Sequence, residues 1–322
     1  MTIRRFTFLI LAAGALCQLL YSQTSRAADA AVVLTVEVQN TTTYRGDTFD
    51  ISKIAKSPGP TTSVNQAFIT SFNIGDLRTV NGETVKGIWS SPAFALPFRA
   101  NPQPGQPIAD VDSAGMSQCI WQILTPDGKY IGTLIDNGAA PGPHHIVTGG
   151  DGAFLGMTGA HGPMLGTGAR SASTSEDPAN RRILGGGAGR LTFYLYPKTR
   201  PTISATPGGP AVTHLDGSLV SSANPAAAGE LLTLYASGLG PTTPFVEIGQ
   251  AFPQGSAYPV NAPVEIKING QSSEVLYAGG FAGAVDGYQV NFRVPPGVTT
   301  GTVSLQLTAA WIPGVAATIA TK

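Results

Sequence analysis

Apolar and polar residues alternate along this chain in short runs, and Gly or Pro closes nearly every one. Leu231-Leu232-Thr233-Leu234-Tyr235-Ala236 ends at Gly238 and Pro241, and Tyr288-Gln289-Val290-Asn291-Phe292-Arg293-Val294 ends at Pro295-Pro296-Gly297. A period of two puts one face of a strand on a core and the other in water. Such runs cannot form amphipathic helices, which need a period near 3.6. The 40 glycines and 25 prolines supply turns, and 42% hydrophobic residues suffice for a core. The fold class is all-β. At 322 residues the chain has room for two cores.

Residues 1–30 are set aside as a signal peptide. Arg4 and Arg5 precede an apolar run from Phe6 to Leu20, and Ala28-Asp29-Ala30 offers a cleavage site, with Ser25-Arg26-Ala27 as a rival. About 15 apolar residues fall short of the roughly 20 that span a bilayer, so no transmembrane segment is expected after cleavage. The expected location is secreted or periplasmic. Without Arg4, Arg5, Arg26 and Asp29, the 19 basic and 19 acidic residues leave a net charge of −2, which excludes a field for gripping nucleic acid. Cys119 is then the only cysteine, so packing rather than a disulfide must hold the fold.

In the first domain, residues 31–197, Val32 to Val38 reads as the opening strand. Residues 40 to 65 suit a long loop, and the five prolines from Ser91 to Pro107 argue against a central strand there. Asn81-Gly82 and Pro126-Asp127-Gly128 mark hairpin turns. Between them, Cys119, Trp121 and Ile123 share one strand face, as do Leu191, Phe193 and Leu195 near the domain's end.

The segment Ile146-Val147-Thr148-Gly149-Gly150-Asp151-Gly152-Ala153-Phe154-Leu155-Gly156-Met157-Thr158-Gly159 resembles the I-x-G-G-T-G-x-F-x-G-x-x-G motif of dirigent and allene-oxide-cyclase-like barrels. Asp151 stands where that family more often has Thr. The likeness covers residues 115 to 196 and implies an eight-stranded antiparallel barrel whose apolar lumen holds one small ligand. The catalytic residues of that family do not carry over onto positions of this sequence.

Residues 198–228 carry Pro201, Pro207, Pro210 and Pro225 and read as a Pro-rich linker. Residues 229–322 hold six further strands, with Asn269-Gly270 as a hairpin turn, which suits an immunoglobulin-like β-sandwich. Four motifs resemble, in order, the Solibacter-type C-terminal domain of secreted acidobacterial proteins. They are Gly229 to Pro241, Val264-Glu265-Ile266-Lys267-Ile268-Asn269-Gly270, Leu276-Tyr277-Ala278-Gly279 and Tyr288 to Pro295. That resemblance implies an exported accessory module and no reaction.

Candidate chemistry is sparse. His144 and His145 are adjacent, so on a strand they face opposite ways and cannot chelate one ion; beside Pro143 they read as turn residues. His161 has no second ligand at a telling spacing, and no metal site is expected. Asp110 and Asp112 stand as the first acids of a calcium loop would, but the twelfth position is Trp121 rather than Glu. Cys119 has no basic neighbour in sequence and reads as core. The Gly-rich runs near 149 to 156 and 185 to 189 lack the phosphate-binding spacings.

The sequence therefore favours a non-catalytic, exported protein with no cofactor, holding a small apolar ligand in a barrel walled by Trp89, Cys119, Trp121 and Tyr130. Two alternatives stay open. One is a cyclase or dirigent-like enzyme with an ionisable residue inside the barrel, Glu83 or Asp136. The other is a surface or adhesion module with a cell-envelope partner.

Overall fold

Strands in the first half leave no edge exposed, because the first pairs with both the second and the last. In the computed structural model, which describes residues 30–45, 69–97, 113–140, 144–173 and 175–322, this closes an eight-stranded antiparallel barrel. Its strands are β1 (Val32–Arg45), β2 (Ile69–Val80), β3 (Lys86–Pro97), β4 (Ser113–Leu124), β5 (Tyr130–Ala140), β6 (His145–Gly152), β7 (Thr158–His161) and β8 (Gly187–Tyr196). The order around the ring is β1-β8-β7-β6-β5-β4-β3-β2, with β2 pairing back onto β1. Closure removes the unpaired rim that would otherwise invite aggregation.

Alternation decides what fills the barrel. Leu34, Val36 and Val38 point in from β1, Cys119, Trp121 and Ile123 from β4, and Leu191, Phe193 and Leu195 from β8; all are buried. Asn81 and Gly82 take φ of +50° and +85° in the turn after β2, and Gly128 takes +92° in the turn before β5. A bulge interrupts β1 at Gln39 and Asn40, where pairing shifts register toward both neighbours. Asn40 sits there at φ +55°, and consecutive Thr41 and Thr42 both become buried.

Two expectations for this half need correction. Strand β1 runs on to Arg45, so residues 40–45 are not loop. Lys86–Pro97 is an interior barrel strand despite Pro92. Pro92 faces Phe72 on β2, while pairing with β4 lapses across Ser91 and Pro92, so its missing N–H interrupts a gap already in the ladder. The signal-peptide segment through Asp29, residues 46–68 and 98–112, and with them Asp110 and Asp112, lie outside the described residues.

The second half is one curled sheet. Its main strands are β9 (Thr202–Ile203), β10 (Val212–Thr213), β11 (Leu231–Ser237), β12 (Val264–Ile268), β13 (Gln271–Gly280), β14 (Gly287–Arg293), β15 (Gly301–Ala309), β16 (Ile312–Pro313) and β17 (Ala317–Thr321). Strand β13 pairs with β12 through Gln271–Ser273 and with β14 through Glu274–Gly280, with a bulge between Val275 and Tyr277. One strand thus serves both halves of the curl, around a core that includes Leu232, Leu234, Ile266, Phe292, Leu305 and Leu307. The supposed linker belongs to this core: β9 and β10 pair with β11, and Val212, Val220 and Ala226 are buried. Pro201, Pro207 and Pro210 stand at the ends of short strands rather than spacing two bodies.

Val32–Lys322 forms one compact unit. Ala262, Ala310 and Ile312 of the second half pack into the barrel's own apolar cluster. Asn261 Nδ2 donates to the Tyr130 carbonyl at 2.8 Å, and Trp311 Nε1 donates to the Glu83 carboxylate at 3.0 Å. Among the described residues no helix is long and apolar enough to cross a membrane.

Candidate active site

Strand register brings four chemistry-bearing side chains together in the barrel, each from a different strand. Cys119 on β4 is the cross-strand partner of Asp136 on β5. His145 on β6 pairs with Gly138 on one side and with His161 on β7 on the other. Asp136 shares the inward parity of Leu134, two residues earlier, and both are fully buried.

A buried carboxylate survives only if it is well partnered. Trp121 Nε1 donates to Asp136 Oδ2 at 2.5 Å, and His145 Nδ1 donates to Oδ1 at 2.6 Å. His161 Nε2 stands 3.3 Å from Oδ2, within ion-pair range but without the alignment of a hydrogen bond. Burial alone would push the Asp136 carboxyl up; the contacts from His145, His161 and Trp121 outweigh it and hold it down to about 2. The carboxylate is therefore ionised in the interior.

The two imidazoles are stacked, with centroids 4.9 Å apart, but they play different parts. His145 gives its Nδ1 proton to Asp136, which in the neutral ring leaves the lone pair on Nε2. That ring keeps 27% of its side chain exposed and lies across Gly138, where any Cβ would overlap it. His161 is 5% exposed and donates Nδ1 to the Gly162 carbonyl at 2.7 Å. Its Nε2 turns toward the cluster, where Asp136 Oδ2 at 3.3 Å is the nearest group it faces.

Cys119 completes the group, with Sγ 3.6 Å from His145 Nδ1. Burial and then the Asp136 charge push the thiol up to about 12, so it stays protonated. Sulfur, carboxylate oxygen and imidazole nitrogen lie within 4.8 Å of one another, and these residue types suit zinc. Two donors on one tetrahedral zinc at about 2.05 Å stand about 3.3 Å apart. Asp136 and His145 are 2.6 Å apart, which is a shared proton and not a pair of metal ligands.

Aromatic rings close the site from below. Trp121 stacks on Trp89 at 5.3 Å and meets Phe193 edge-on at 5.3 Å. Trp89, Cys119 and Trp121, expected from sequence to wall a lumen, do converge in the barrel interior. Tyr130 does not join them; it stands at the opposite end of β5, bonded to Thr133 and Asp151. Glu83 is exposed and engaged by Trp311, so of the two suggested interior acids only Asp136 is inside.

His145 is the residue that sequence reasoning misplaced. It begins a strand rather than sitting in a turn, although the adjacency argument stands: His144 is exposed and takes no part. Its partners come from neighbouring strands, which spacing along the chain cannot reveal. Asp136 was within reach, since the hairpin at Pro126-Asp127-Gly128 fixes the register of β4 on β5. No protein-family model matches the chain, and no curated protein matches it either.

Proposed function

We propose that the barrel is a small-molecule enzyme domain that works by proton transfer, with His145 Nε2 as the general base and Asp136 as its positioning residue. The single observation that carries this reading is the fully buried, ionised Asp136 holding the His145 Nδ1 proton at 2.6 Å. A carboxylate so placed fixes the imidazole's tautomer and orientation and stabilises the imidazolium formed when Nε2 takes a proton. Trp89, Trp121 and Phe193 pack beneath the pair and hold it in place, and the partly exposed His145 edge is the side from which a substrate approaches. Of the readings left open by sequence, the cyclase or dirigent-like enzyme gains most, because it requires an ionisable group in the barrel.

In this reading the second half is the accessory module, of immunoglobulin-like kind, and the whole is exported to a secreted or periplasmic location. The two-sided core about β13 and the Solibacter-type motifs support the module, and the charged-then-apolar N-terminus supports export.

The test is abstraction of a carbon-bound proton from nitrobenzisoxazole, whose N–O bond breaks as the base removes the proton, releasing a coloured cyanophenolate. The full chain should accelerate this over buffer, His145→Ala should abolish the acceleration, and Asp136→Asn should lower it by about 10²-fold. EDTA should change nothing. Equal rates for wild type and His145→Ala would overturn the proposal, and a rate lost to EDTA would convert the cluster to a metal site.

A further inference from the structure

At the other end of the barrel lies a feature that the Asp136 cluster does not use. A cavity of about 520 Å³ opens where the turn after β6 meets the second half. Cavities of roughly 300–1,000 Å³ are the size that small organic ligands occupy. Tyr130 borders it, six residues from Asp136 along β5 and so about 20 Å away at 3.3 Å per residue. Its walls come from both halves: Tyr130, Asp151 and Leu155 from the barrel, and Phe245, Asp286 and Tyr288 from the curled sheet and its loops.

The charges on these walls are one-sided. Asp151, Glu247 and Asp286 line the cavity, and among the described residues no Lys, Arg or His does. Among the described residues Asp286 has no basic partner; its Oδ1 accepts a long hydrogen bond from the Gly238 N–H at 3.3 Å, and the Tyr288 hydroxyl stands beside it. Asp286 is an exposed residue on the cavity wall, and partial desolvation pushes its carboxyl up. An anion in this position gains from any cation brought beside it.

The remaining surface is greasy. Phe252 and Tyr288 are buried in the floor, with the Tyr288 hydroxyl tied to the Gly240 carbonyl at 2.8 Å. Leu155, Phe245 and Ile248 are 52%, 59% and 72% exposed at the rim. Large apolar side chains left in water on both sides of one cleft are a mark of a binding site. Aromatic faces beside carboxylates suit a cation whose charge is attached to an apolar body, through ring attraction as well as ion pairing. A bare metal ion would find too few aligned oxygens among these walls.

We propose that this junction cavity binds an organic cation, an amine or quaternary ammonium on an aromatic or aliphatic body, with Asp286 and Glu247 holding the charge. The site is separate from the proton-transfer centre and does not depend on it.

Equilibrium dialysis of the full chain at low salt tests this, with benzyltrimethylammonium, its uncharged isostere neopentylbenzene and the anion phenylacetate as probes. The cation should bind at least about tenfold tighter than the isostere, and phenylacetate weakest of the three. Asp286→Asn keeps the acceptor for Gly238 and should cut cation affinity about tenfold while leaving neopentylbenzene unchanged. Glu247→Gln, on an exposed loop, should cut it about threefold and decides the matter if the first variant fails to fold. His145→Ala should leave all three affinities alone. Equal binding of the three probes, no binding by any, or a cation affinity indifferent to both carboxylates would overturn the proposal.

Discussion

Asp136 Oδ1 and His145 Nδ1 share a proton across 2.6 Å, although neither residue is the other's direct cross-strand partner. The bulge in β5–β6 pairing between Ile135 and Asp136 shifts the register, so that Asp136 stands opposite Val147 and His145 opposite Gly138. His145 then reaches diagonally over Gly138 to the carboxylate. A side chain at 138 would close that route.

Gly138→Ala is accordingly expected to fold but to displace the His145 ring. The cost should be about 1–3 kcal/mol in a urea melt, as for other overpacked sites. The low-field imidazole proton between His145 and Asp136 should vanish from the proton spectrum. Its persistence would mean that the ring does not depend on the bare Cα.

Replacing Asp136 by Asn keeps the shape and removes the charge that faces two imidazoles. One amide cannot accept from Trp121 and His145 as a carboxylate does, so a loss of about 2–4 kcal/mol is expected from the denaturation midpoint. A variant as stable as wild type would show that the buried charge contributes nothing net.

Acid should act most strongly through the two buried carboxylates, Asp76 and Asp136. Asp76 is 7% exposed; burial would raise its carboxyl, but Arg182, Asn40 and Arg181 hold it down to about 2, as the cluster does for Asp136. Each folded-state value lies below the ordinary 3.8, so each group's contribution is complete above about pH 4 and is lost as pH falls toward 2. A depression of nearly two units corresponds to about 2 kcal/mol per group. Urea midpoints measured from pH 5 down to pH 2 should fall across that window, and Asp76→Asn should flatten part of the fall. A level profile would contradict the assignment.

The barrel and the curled sheet should melt together. Ile312 is 3% exposed and sits in the barrel's apolar cluster although it belongs to the second half. Ile312→Ala is expected to cost about 2–4 kcal/mol. Ile312→Asp, which puts an unpaired charge at the junction, should split one calorimetric transition into two. A single transition in that variant would show that other contacts suffice to couple the halves.

Much of the architecture was legible because burial follows parity. Cys119, Trp121 and Ile123 face in and Gln118, Ile120 and Gln122 face out as alternation requires, and Asn81-Gly82, Pro126-Asp127-Gly128 and Asn269-Gly270 all turn where their residues demand. The places where local reasoning failed have local signals that tertiary structure overrode. Pro92 argues against a strand, yet its ladder has a gap to receive it. The prolines of 198–228 suggest a spacer, yet Val212 and Val220 are core. The site was legible only in part. Parity put Cys119 and Trp121 inside, whereas His145 and His161 meet Asp136 through a bulge and a register that no single-strand pattern encodes.

The most direct test of the central claim is the nitrogen-15 long-range correlation spectrum of the His145 ring at pH 8. The account expects a protonated Nδ1 and an unprotonated Nε2, with that pattern lost in Asp136→Asn. A ring protonated at Nε2 instead, or one unaffected by the loss of the Asp136 charge, would contradict it.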